Sequence, residues 1–220
     1  MKKGLTLLVF VMDRSGSMAS IITDSIGGFN TLIEQQKADC LEKGNTAKVT
    51  IVKFNSSVES ICNYEDISKV TPLTGNTFYA SGGTSLIDAV CATIVNTGHT
   101  LSELSEEERP EKVLFTIITD GEENTSREYT LEKLKEMISE QEKKYNWTFS
   151  FIGANIDSFG TANNIGFSNS RGVANYQANS RGVKAMFRGV SNYTMNLKNS
   201  AVGDTSFMSV EAEISAEEKK

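Results

Sequence analysis

Asp13, Ser15 and Ser17 follow one another at a spacing of two, directly after an apolar run. In a loop that leaves a strand nearly extended, that spacing gathers side chains on one side of the chain. Gly16 between the serines supplies the backbone freedom a tight turn requires. A carboxylate and two hydroxyls brought together in this way are hard oxygen donors, the kind that hold a small divalent cation. A second carboxylate, Asp120, has the same setting: it closes the apolar run VLFTIIT (Val113–Thr119) and is followed by Gly121 and the acidic Glu122-Glu123. A third polar segment, Ser81-Gly82-Gly83-Thr84-Ser85, precedes a helical pattern. Taken singly, each has a plainer reading. Asp13 suits an Asx turn or a cap, Thr84 suits an N-cap for the helix starting near Leu86, and Glu122 and Glu123 suit a solvated rim.

The elements that position these residues follow from hydrophobic periodicity. Leu5–Met12 is an apolar run without polar alternation, as expected of a strand buried on both faces of a parallel sheet. Ser25–Lys43 reads as a helix with Ile22, Ile26, Phe29 and Ile33 on one stripe, interrupted by Gly27-Gly28. Those glycines point to close packing of the helix, to a loop that extends further, or to a helix start that shifts near the ion. Ala47–Phe54 and Ser57–Tyr64 are strands joined by Asn55-Ser56. So short a connection makes an antiparallel hairpin and puts the third strand at a sheet edge. Ile67–Tyr79 reads as loop, and the following helix carries Leu86, Val90, Ile94 and Leu101 on one stripe. Glu103–Glu111 reads as a charged linker stopped by Pro110. After Val113–Thr119, Thr130 caps a helix that buries Leu131, Leu134 and Ile138. Trp147–Gly153 is a strand, Asp157–Gly166 a short helix, Val173–Gln177 a short strand and Ser180–Lys198 the last long helix. Strands alternating with helices give an α/β fold, a sandwich with helices on both faces of a largely parallel sheet. In such sheets ligands sit outside the carboxyl ends of the strands, where strand order reverses. If strands one and four are neighbours there, Asp13 and Asp120 face one crevice.

Asp13-Arg14-Ser15-Gly16-Ser17, Ser81-Gly82-Gly83-Thr84 and Thr119-Asp120-Gly121, in this order, resemble the three parts of the metal-ion-dependent adhesion site (MIDAS) of von Willebrand factor type A (VWA) domains. The resemblance implies a Rossmann-like three-layer sandwich with sheet order 3-2-1-4-5-6 and strand 3 antiparallel at the edge. It implies that Ser15, Ser17 and Thr84 bind the ion through hydroxyls, and Asp13 and Asp120 directly or through water. Neutral hydroxyls leave the cation much of its charge, so it still attracts an anion. Mg²⁺ keeps several waters in near-octahedral oxygen coordination and can give one position to a carboxylate. Mn²⁺ fits the same oxygens, and both rank ahead of Ca²⁺. The implied event is completion of the shell by an Asp or Glu of a partner protein, which family resemblance associates with assemblies such as ring ATPases. Residues 1–203 are read as the VWA domain and residues 204–220 as an acidic tail. Met208, Val210, Ala212 and Ile214 alternate there as a strand would, so edge pairing and disorder both stay open.

Composition narrows the function classes. A formal net charge of −6 gives no long-range steering toward nucleic acid or an anionic membrane. Cys40, Cys62 and Cys91 are odd in number and well separated, which favours free thiols over a disulfide framework. No run approaches the length of a membrane helix, and the start of the chain does not read as a secretory leader. The expectation is a monomeric cytoplasmic adaptor that binds protein through a metal and is not an enzyme. His99 is the single histidine, and no Ser-His-Asp set or Gly-rich phosphate loop accompanies it. The alternatives are a surface or secreted adhesin, a metal-assisted hydrolase, and self-ligation by a tail carboxylate such as Glu211 or Glu213.

Overall fold

The computed structural model describes residues 1–168, 170–201, 204 and 206–219. β1 (Lys2–Asp13) and β4 (Pro110–Thr119) lie side by side at the centre of a six-stranded sheet. β2 (Thr46–Phe54) and the edge strand β3 (Val58–Asp66) extend it on one side. β5 (Thr148–Ala154) and β6 (Val173–Tyr176) extend it on the other. The order is β3-β2-β1-β4-β5-β6, and only the β2–β3 pairing is antiparallel, as so short a connection, Asn55 to Ser57, requires. Order reverses between β1 and β4, so their carboxyl ends flank the expected crevice.

Alternation in the strands divides the core into two layers. Leu8, Phe10 and Met12 of β1 face α1 (Ile22–Lys43) and α5 (Ser180–Asn199), where Phe10 meets Phe29 edge-on at 5.2 Å. Leu7, Val9 and Val11 face α2 (Leu86–Ser102), α3 (Leu131–Tyr145) and the short α4 (Ser158–Asn164). Both faces of β1 are covered, which is why its sequence lacks polar alternation. Thr130 caps α3 as expected, its hydroxyl accepting from the Lys133 amide. α1 runs unbroken through Gly27-Gly28, and a Cβ on Gly28 would stand 2.3 Å from the Phe187 ring of α5. The glycine therefore serves close helix-to-helix packing.

Two expectations change. Pro110 opens β4, paired with Lys2, and does not merely stop a linker. The tail neither pairs with an edge nor lacks order where it is described: Val210–Glu218 forms α6. Val210 and Ile214 stand four residues apart as well as in alternation, so a helix also puts both on one face, and both are buried against the α1/α5 layer. Ser209 caps this helix through the Ala212 amide. The boundary at residues 203 and 204 falls in a stretch of which residues 202, 203 and 205 lie outside the described residues. Among the described residues no helix is long and apolar enough to cross a membrane.

Candidate metal centre

β1 ends at Asp13, and the chain turns at once into a short 3-10 helix, Gly16–Ser20. This turn is stitched to its neighbours by the backbone. Arg14 N donates to Phe54 O at the end of β2, Ser81 N donates to Arg14 O, and Gly16 N donates to Gly82 O, at 2.7, 2.8 and 2.9 Å. Gly82 holds φ +74°, a conformation natural only to glycine, and so exposes the carbonyl that Gly16 uses. Asn55 donates to both Ser81 O and Ser81 Oγ, fixing the segment that leads to Thr84. The Gly-rich stretch is thereby held against the β1 turn, although the two are far apart in sequence.

The five expected residues meet. Asp13 is fully buried, with Oδ1 accepting from Ser15 N and Oδ2 from Thr119 Oγ1, both at 2.6 Å. Ser15 Oγ and Ser17 Oγ lie 3.0 Å apart, and Ser17 Oγ donates to Asp120 Oδ1 at 2.7 Å. A Cβ on Gly121 would stand 3.4 Å from Thr84 Oγ1 and 3.5 Å from Ser17 Oγ, so Thr84 closes the cluster from its third side. Thr84 is held by its backbone, its amide donating to Asn124 Oδ1 and its carbonyl accepting from Asn124 N and Thr125 N. Its hydroxyl makes no hydrogen bond to the described residues and is free to act as a ligand.

The electrostatics favour a cation here. Burial pushes the Asp13 carboxyl up to about 6 against the lowering effect of hydrogen bonds from Thr119 and Ser15, and the Asp120 charge adds to the rise. Burial likewise raises Asp120, against the Ser17 hydrogen bond. Two carboxylates reluctant to ionise, beside three hydroxyls, are a donor set that a hard divalent cation satisfies by supplying the missing positive charge. The residues present therefore fit the group that the sequence implies. Among the described residues no cluster of three or more His, Cys, Asp or Glu offers a different kind of metal site.

Several residues around the centre have roles that the sequence did not indicate. Thr119 holds Asp13 in orientation. Glu122 is exposed as expected, but Glu123 is no solvated rim. Its carboxylate accepts from the amides of Ile87, Thr125 and Ser126 and from Ser126 Oγ. Asp88, on the first turn of α2, accepts from the amides of Arg127, Glu128 and Tyr129. The pair clamps the loop after Asp120 onto the start of α2. An acidic residue in the first turn of a helix is the signal that could have marked Asp88.

No protein-family model and no curated protein matches this sequence. Solved structures do match. The von Willebrand factor domain of the type V pili tip protein Mfa5 from Porphyromonas gingivalis superposes with a TM-score of 0.61 at 10% identity, over 92% of this chain and 98% of that one. Manganese-loaded TRAP protein from Plasmodium vivax gives 0.55 at 17% identity, over 81% and 70%. Proximal thread matrix protein 1 from the mussel byssus, with its MIDAS motif occupied by zinc, gives 0.54 at 15% identity, over 86% and 46%. The chain spans less than half of that mussel chain, and similarly 43% of a von Willebrand factor type A structure from Catenulispora acidiphila. These likenesses, with the strand order and the antiparallel edge, establish that the chain has the fold of von Willebrand factor type A domains.

Proposed function

We propose that this chain is a non-enzymatic, metal-dependent protein-binding domain. In this reading Asp13, Ser15, Ser17, Thr84 and Asp120 hold Mg²⁺ or Mn²⁺. When bound, the cation supplies a charged contact for an Asp or Glu side chain of a partner protein. The observation that carries the reading is the bond from Ser17 Oγ to Asp120 Oδ1, with the Thr84 hydroxyl alongside, which brings three distant segments to one point. Ser15 and Thr119 fix Asp13, Ser17 fixes Asp120, and the Gly82 and Gly83 backbone sets the height of Thr84. His99 stands near the far end of α2, about 20 Å along the helix from Thr84, so the only histidine is out of reach of this centre.

The reading extends to a monomeric cytoplasmic adaptor, for instance one tethering a partner to a ring ATPase. It is supported by three unpaired cysteines, two of them buried, with burial holding the Cys91 thiol up at about 12. Likeness to a pili tip domain along nearly its whole length favours a second reading, an adhesin-type role outside the cell. Both use the same centre. Calorimetric titration with MgCl₂ and MnCl₂ tests it: the wild type takes up one ion, and Thr84→Ala and Asp120→Ala lose that uptake while keeping their unfolding midpoints in EDTA. Capture of partners from native lysate should then depend on Mg²⁺, and partner bands that persist unchanged in EDTA overturn the mechanism.

A further inference from the structure

Tyr176 is the last residue of β6. Thr119 pairs with Gly153, and Ala154 pairs with Tyr176, so Asp120, Ala154 and Tyr176 stand next to one another at the carboxyl ends of three adjacent strands. The Tyr176 ring belongs to the core layer beneath α1 and α5, and the residue is only 6% exposed. Its hydroxyl is buried and has no hydrogen-bond partner among the described residues. A buried hydroxyl left unpaired costs about 1–3 kcal/mol, and phenylalanine would fill the same core without that cost. Burial pushes its ionisation upward, with the charges of Asp120 and Asp13 adding to the rise, so the phenol stays a neutral donor. At Asp120, Oδ1 accepts from Ser17, while Oδ2 accepts no hydrogen bond from any other described residue. An unsatisfied buried donor at the end of β6 thus shares one end of the sheet, one strand removed, with a carboxylate that has an unused acceptor.

We infer that the Tyr176 hydroxyl is a positioning group of the metal centre, donating to the Asp120 carboxylate directly or through one water and so fixing the oxygen that Ser17 does not hold. The inference rests on the metal-binding reading above and adds to it a residue from β6, a strand that contributes no ligand. A carboxylate held at both oxygens presents itself to a cation in one orientation, and removing a group that orients a metal's ligand typically weakens the metal about 10–100-fold.

The test is Tyr176→Phe in the full chain, titrated with MnCl₂ beside the wild type, with thermal unfolding in EDTA as the second measurement. The expected result is a Kd for Mn²⁺ raised about tenfold or more, with a cooperative unfolding transition retained in EDTA. The affinity decides between the roles, and the midpoint shows that the variant folds: a purely structural tyrosine would leave the affinity alone. An ultraviolet difference spectrum on adding Mn²⁺ should show a tyrosine signal in the wild type that Tyr176→Phe loses. Tyr176→Phe binding Mn²⁺ as tightly as the wild type overturns the inference while leaving the metal centre intact. Absence of Mn²⁺ uptake by the wild type overturns both.

Discussion

Asp13 must be ionised to hold a cation, yet the fold places it where ionisation is disfavoured. An unfolded aspartate titrates near 3.9, whereas burial sets Asp13 at about 6 in the folded chain. Between these values the folded state binds the extra proton, so stability of the metal-free protein falls as pH rises from about 4 to about 6 and stays low above. Two pH units correspond to about 3 kcal/mol. Asp13→Asn keeps the acceptor for Ser15 N and removes the charge. In EDTA at pH 7.5 it should therefore be more stable than the wild type by about 2–3 kcal/mol in urea unfolding, with the gap closing toward pH 4. With excess Mg²⁺ the order reverses, since only the wild type gains from binding the ion. An asparagine variant less stable than the wild type in EDTA at neutral pH would refute this account. The ligands themselves were legible because each follows a strand end or a Gly-rich turn within a few residues. Thr119 and Tyr176 were not, because their roles arise from register between strands, which no local pattern encodes.

At the scale of elements, the metal centre depends on a loop with no regular structure of its own. Residues 120–130 connect β4 to α3, and this segment is held by two carboxylates acting in opposite directions. Asp88 reaches from α2 to three loop amides at 2.7–3.0 Å, and Glu123 reaches from the loop to the Ile87 amide at 2.9 Å. Glu123 thereby sits at the amino end of α2, where the helix dipole favours negative charge. Asp88→Ala removes the acceptor for three amides at once. The expected loss is about 2–3 kcal/mol of folding stability, together with weaker Mn²⁺ uptake, because Asp120 and Gly121 open the freed loop. Urea unfolding and Mn²⁺ titration check the two parts, and unchanged affinity would show that β4 alone sets Asp120. The helices and strands around this loop were readable from their periodicity, including the hairpin that places β3 at the edge. The clamp was hidden because Glu122-Glu123 looks like any solvated acidic pair, and only the tertiary position of α2 separates the two residues.

In the molecule as a whole, the α1/α5 layer is closed by contacts that span the length of the chain. Lys198 of α5 pairs with Asp39 of α1 at 2.6 Å, both nearly inaccessible, and Lys112 of β4 donates to the carbonyls of Leu197, Lys198 and Ser200 at the end of α5. α6 then lies across α5. Glu213, one of the two tail carboxylates considered for self-ligation, is 9% exposed and accepts instead from Asn192 and Asn196, whereas Glu211 is exposed. The strand-like alternation of the tail misled because alternation and four-residue spacing share Val210 and Ile214, and only a partner helix with a suitable groove decides between them. Gly189 makes that groove: a Cβ there would stand 2.6 Å from Ile214 N and 2.7 Å from Ile214 Cα. Backbone has little room to yield, so Gly189→Ala must push α6 away even though alanine favours the α5 helix by about 1 kcal/mol. Hydrogen exchange should then rise across residues 210–218 while β1 and β4 stay protected, and overall stability should fall by about 1–3 kcal/mol. If Gly189→Ala instead stabilises the protein by its helix propensity and leaves the tail protected, α6 is not seated on α5 by this contact.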